Sequence, residues 1–161
     1  MWCLSLELKT PFLMVSGGPE SFKHYVISLL GVAKNSVSMS TSMYPGFYND
    51  PDVKQAFESC VLRVKSFRLL LDGRVNLSKL RDGVPWLFEL KKRSPHLEIK
   101  KAGSPIVHWI IVDDQHLRLE VRHGLEEYAK RNVIIFSAPP STVEVVKRVF
   151  EGWWGKARVV K

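Results

Sequence analysis

Ile106-Val107-His108-Trp109-Ile110-Ile111-Val112-Asp113-Asp114-Gln115-His116-Leu117-Arg118-Leu119-Glu120-Val121-Arg122-His123 reads as a β-hairpin. Two apolar runs, 106–112 and 117–121, flank Asp113-Asp114-Gln115-His116, a connection of hairpin length rich in turn formers. Side chains alternate across a strand. His108 is therefore expected on the face of Ile106, Ile110 and Val112. Arg118 and Glu120 share one face of the second strand, with Leu117, Leu119 and Val121 on the other. His123 falls just past the strand end. Imidazoles, guanidinium groups and carboxylates gathered at one end of a sheet suit the binding of a phosphodiester and the movement of protons around it. A plainer arrangement uses the same residues: His108 as a hydrogen-bonded core residue, Arg118–Glu120 as a same-face ion pair, His116 as an exposed turn residue.

Outward from the hairpin, strand and helix signals alternate. A strand within 4–15 is interrupted near Pro11, and Gly17-Gly18-Pro19 breaks the chain. Ser21 is a candidate cap for a helix over 21–33 with Phe22, Val26, Leu29 and Leu30 on one stripe. Val37, Met39 and Thr41 alternate with Ser36, Ser38 and Ser40 as a strand with one apolar face. Residues 44–50 read as a loop that carries Tyr44, Phe47 and Tyr48. Pro51 opens a helix with Val53, Ala56, Phe57, Cys60, Val61 and Val64 at helical spacing. Residues 67–71 form a buried strand that stops at Asp72-Gly73. Further elements are a helix over 85–93, a strand over 96–101, a short helix over 125–131 and a strand over 132–137. The last helix starts near Pro140, with Val143, Val146, Phe150 and Trp153 inward and Trp154 toward solvent. The sum is one α/β domain over residues 1–161: a mixed sheet with helices on both faces.

Composition narrows the partners. The 161 residues are 45% hydrophobic and 25% charged, ordinary for a globular chain. The longest apolar runs fall far short of a membrane span, and no signal peptide is evident, so the expected location is cytoplasmic. Twenty-four Lys and Arg against 16 Asp and Glu give a net charge of +8, which favours nucleic acid or an acidic membrane surface. Lys91, Lys92, Arg93, Lys100 and Lys101 are the candidate phosphate-binding cluster, together with Arg118 and Arg122. Gly17-Gly18 lacks the following Lys-Ser/Thr of a phosphate loop. No His, Cys or carboxylate spacing makes a convincing metal site, and no cofactor is implied. Cys3 and Cys60 are too few for a disulfide framework.

The element order, with the SVSMST, FRLLLD, HLEIKK and NVIIFS strands, the IVHWIIVDD hairpin and the final helix with FEGWWGKA, resembles a single phospholipase D-like domain over roughly residues 12–158. In that family this hairpin carries His-x-Lys-x4-Asp. The His attacks a phosphodiester, a second copy supplies the His that protonates the leaving group, and single-copy chains pair as homodimers. With Asp113 at the family Asp position, Ile106 stands at the nucleophile and His108 at the Lys. Glu120, Val121, Arg122 and His123 stand at Gly-Ser-x-Asn of the second strand. Only Asp113 matches. The resemblance thus implies a degenerate domain that binds phosphodiesters, above all nucleic acid, with little ordinary catalysis. One alternative is a phosphodiesterase or nuclease rebuilt on His108, His123, Asp113 and Glu120. Another is a non-catalytic recognition module for partner proteins or acidic lipid head groups.

Overall fold

The computed structural model describes residues 12–121 and 131–161. Eight strands form one sheet in the order β1-β7-β6-β5-β2-β3-β4-β8. In chain order the elements are β1 (Phe12–Ser16), α1 (Pro19–Val32), β2 (Ser36–Thr41), α2 (Pro45–Tyr48), α3 (Pro51–Arg63), β3 (Ser66–Leu71) and α4 (Leu77–Gly83). Then come α5 (Pro85–Arg93), β4 (Leu97–Lys101), β5 (Trp109–Val112), β6 (His116–Glu120), β7 (Arg131–Ile135), α6 (Pro140–Lys156) and β8 (Arg158–Val159).

Strands β2, β3 and β4 run parallel. The hairpin β5–β6 joins them through the antiparallel pair β2–β5, and β7, β1 and β8 add antiparallel edges. The C-terminal ends of β2, β3, β4 and β6 therefore meet the N-terminal end of β5 along one rim of the sheet. Ligand sites of open α/β sheets lie outside such strand ends.

The sheet separates two apolar layers. Helices α1–α5 cover one face, where Phe22, Val26, Leu29, Val53, Phe57, Leu80 and Leu87 pack on Met39, Leu69, Ile110 and Val112. Among the described residues α6 alone covers the other, with Val143, Val146, Phe150 and Trp154 on Leu70, Ile111 and Leu117. Helices on both faces, as the sequence predicts, follow from strands such as β3, whose last three residues are all buried.

Several local expectations change. Helix α1 begins at Pro19 after Gly18, two residues before Ser21, because Pro fits the first turn, where no N–H partner is needed. The predicted loop over 44–50 contains α2, and its Phe47 and Tyr48 are buried rather than on a flexible segment. Asp50 caps α3 through its side chain, which accepts from the amides of Asp52 and Val53 at 3.0 and 3.3 Å. Trp154, not Trp153, completes the buried stripe of α6. Trp153 is half-buried against Trp109, with ring centres 5.1 Å apart. Ser40, expected on a polar face, is fully buried. Its hydroxyl donates to the Val107 carbonyl and accepts from the Trp109 amide, both at 2.8 Å, which fixes the start of β5. The helix predicted over 125–131 lies outside the described residues except for Arg131, which begins β7.

Candidate functional site at the strand-end rim

Five ionisable side chains form one chain of contacts on the rim. Arg118, buried on β6, pairs with Glu120 two residues on. Glu120 Oε2 stands 3.5 Å from His108 Nδ1, and His108 Nε2 stands 3.0 Å from Asp72 Oδ2. Asp72, at the end of β3, accepts from Arg74 Nε at 3.0 Å and Nη2 at 2.7 Å. The Arg118 guanidinium also lies 5.1 Å from the centre of the Phe22 ring. His108 is 5% exposed and the Asp72 side chain 0%, so neither imidazole nitrogen faces open solvent.

The electrostatics follow from burial and pairing. Burial opposes the Asp72 charge, but hydrogen bonds from Arg74 and His108 outweigh it and hold the carboxyl well below the usual range. Burial likewise opposes charge on His108. The hydrogen bonds and negative charges of Asp72 and Glu120 win, and its pKa is raised. Tyr48, also buried, is pushed up to about 12 by burial, which the Arg118 charge only partly offsets.

The predicted site residues divide. His108, Arg118 and Glu120 come together. His108 keeps the face of Ile110 and Val112, but Ile106 does not: residues 106–108 precede the regular strand, and Ile106 packs in the α6 layer. Asp113 sits at the other end of β5, roughly 16 Å of strand from His108. There it accepts from the backbone amides of Lys34, Asn35 and Ser36 at 2.8, 2.7 and 2.9 Å. It ties the α1–β2 turn to the hairpin and is not part of the rim cluster. Arg122 and His123 lie outside the described residues. His116 is the first residue of β6 rather than a turn residue, and its Nδ1 accepts from the Ser137 amide at 2.8 Å.

The predicted basic cluster splits as well. Lys91, Lys92 and Arg93 end α5 near the start of β4, where Lys92 pairs with Glu89 and Arg93 reaches Glu58. Lys100 and Lys101 end β4 and point to opposite faces. Lys100 Nζ lies 4.6 Å from the centre of the Trp154 ring, while Lys101 donates to the Gly73 carbonyl at 2.8 Å. Lys101 instead joins Lys156 and Arg158 in lining a cleft of about 610 Å³ with Leu77, Gly103 and Val160. A β-carbon on Gly73 would meet the Ser104 carbonyl oxygen at 2.4 Å, so glycine is required for the close approach beside Lys101.

Asp72 and Arg74 belong to the site, and Lys156 and Arg158 to the Lys101 cleft, beyond the residues that the sequence suggests. An Asp-Gly directly after a buried strand at a sheet rim was the available signal for the first pair. No described helix is long and apolar enough to cross a membrane.

The chain has the phospholipase D-like fold. TrmBL2, an archaeal chromatin protein with a novel mode of DNA binding, superposes with a TM-score of 0.70 at 17% identity over 98% of this chain. This chain spans 57% of TrmBL2. Nuc, a phospholipase D family member from Salmonella typhimurium, gives 0.68 at 18% identity, covering 94% of this chain and 98% of its own. NucT from Helicobacter pylori gives 0.67 at 12% identity, covering 93% and 100%. No protein-family model matches the chain, and no curated protein matches it.

Proposed function

We propose that this chain is a cytoplasmic, phosphodiester-binding domain whose natural ligand is nucleic acid and whose ordinary catalytic chemistry is lost. The observation that carries the binding reading is the cleft on the β4–β8 side of the rim. Lys101, Lys156 and Arg158 line it, and no carboxylate is among the described lining residues. A polyanion gains there by releasing counterions, and the net charge of +8 steers it in. The DNA binding of TrmBL2, a structural neighbour, supports the same class of ligand.

Loss of catalysis is supported by the rim cluster. The residue aligned with the family nucleophile is Ile106, buried in the α6 layer. His108 is enclosed, with one nitrogen toward each of two carboxylates. Those carboxylates favour a bound proton, the opposite of what a nucleophilic imidazole needs.

Retention of single- and double-stranded DNA and RNA, measured between low and moderate salt, tests the proposal together with turnover of a chromogenic phosphodiester. Tight, steeply salt-dependent retention without turnover is expected. Lys156→Glu/Arg158→Glu should weaken retention and flatten the salt slope by about two, near 0.9 per lost phosphate contact. Salt-independent or absent retention overturns the binding reading. Turnover abolished by His108→Ala overturns the loss of catalysis and restores the rebuilt phosphodiesterase. Retention by acidic vesicles but not by nucleic acid selects the recognition module.

A further inference from the structure

A second cavity, about 480 Å³, opens on the same rim between the β2–α2 and β3–α4 connections. Its volume lies in the range of small-molecule sites. Arg74 and Lys79 supply two cations, and Ser42, Tyr44 and Asn76 supply hydroxyls and an amide. Pro45, Val75 and Leu80 supply an apolar surface. No carboxylate is among the described lining residues. This composition differs from that of the β4–β8 cleft, which has three cations and neither an aromatic ring nor a hydroxyl.

The geometry points to a site for a small organic anion: its charged head between Arg74 and Lys79, its apolar or aromatic body along Tyr44, Pro45, Val75 and Leu80. Arg74 suits the head because its guanidinium is already aimed by two hydrogen bonds to Asp72, so little side-chain freedom remains to be lost on binding. Lys79 suits it because it is exposed on α4 and adds a second charge to the same lining. The mixed lining suits an amphiphilic molecule better than a bare polyanion, whose backbone presents no apolar body. Occupancy is felt at His108, since Arg74 shares Asp72 with it. A phosphate or a carboxylate head satisfies the same two cations.

Isothermal titration of the purified chain with adenosine monophosphate, adenosine and 3-phenylpropionate tests the site and separates the two heads. Saturable binding of the monophosphate or the carboxylate, but not of adenosine, is expected. Lys79→Glu should weaken that binding at least tenfold, the worth of one charge-assisted hydrogen bond. It should leave the thermal midpoint unchanged, because Lys79 is exposed and its side chain makes no hydrogen bond or ion pair among the described residues, its backbone amide alone serving the Asn76 cap. Lys156→Glu/Arg158→Glu should leave the small-anion affinity intact while nucleic-acid retention falls, so the two sites succeed or fail separately. No saturable binding of either anion up to millimolar concentration, equal binding of adenosine, or full affinity in Lys79→Glu each overturns the proposal.

Discussion

His108 Nε2 stands 3.0 Å from Asp72 Oδ2, a contact between residues 36 apart in sequence that joins the hairpin to the end of β3. The pairing makes stability depend on pH in a defined direction. Burial lowers the His108 pKa, but Asp72 and Glu120 outweigh it, so the folded value is raised. The stability contributed by that proton is fully present below about pH 6.5, the ordinary imidazole value, and is lost as pH rises through the folded value. His116 acts with the opposite sign. Burial lowers its pKa despite Asp113, so the folded chain favours its neutral form. Asp72 is depressed, and its contribution is lost only as pH falls through its low folded value. Thermal midpoints between pH 5.5 and 9 should fall above pH 6.5 in the parent chain and fall less in His108→Gln. Identical profiles would show that the His108 contacts carry no net proton linkage.

Arg118 and Glu120 are buried together, and such a pair suffers most when halved. Arg118→Met leaves the Glu120 carboxylate without its guanidinium and should cost ~3–5 kcal/mol in urea denaturation. Arg118→Met/Glu120→Leu removes both charges and should cost less than the single change. A double variant less stable than Arg118→Met would mean that Glu120 is held chiefly by His108 instead.

Asp113 divides fold from function. Asp113→Ala removes the acceptor of three backbone amides and places alanine at a φ of 54°, which aspartate tolerates better. A loss of about 2 kcal/mol is expected, with a smaller loss in Asp113→Asn, which keeps one acceptor oxygen. Nucleic-acid retention by the folded fraction should be unchanged. Retention lost without any change in stability would move Asp113 into the binding site.

Much of the sheet was legible because its strands carry their own signal. SVSMST, FRLLL and the hairpin each state their period within a few residues, and Pro51, Pro85 and Pro140 mark helix starts. Helix α4 was not: its seven residues span two turns with Leu80 as the one buried position, too little for periodicity, although Asn76 caps it. Strand β8 is two residues long, and both are exposed. The two tryptophans exchange the places that spacing alone suggests, because 143, 146 and 150 admit either 153 or 154 as the next inward position. The contacts of Trp154 with Phe150 and with Arg68 and Lys100 on the sheet settle that choice, and no local pattern encodes them. The site was half legible for the same reason. His108, Arg118 and Glu120 are neighbours through one hairpin, whereas Asp72 and Arg74 join them only through the order of strands. Asp113, the single residue matching the resembled motif, proved to bind backbone at the far end of its strand.

The uneven cover of the sheet sets an order of assembly. Among the described residues α1–α5 shield one face and are interleaved with strands they cover, so most of that layer can close as the chain is made. The other face, with Leu70, Ile111 and Leu117, waits for Val143, Val146, Phe150 and Trp154. A nascent chain halted before residue 140 would carry most of one half-core, lacking Val160, and a bare apolar sheet face, open to adhesion by any sticky neighbour. Closure of that face therefore waits for α6, and chaperone dependence should be greatest just before α6 emerges.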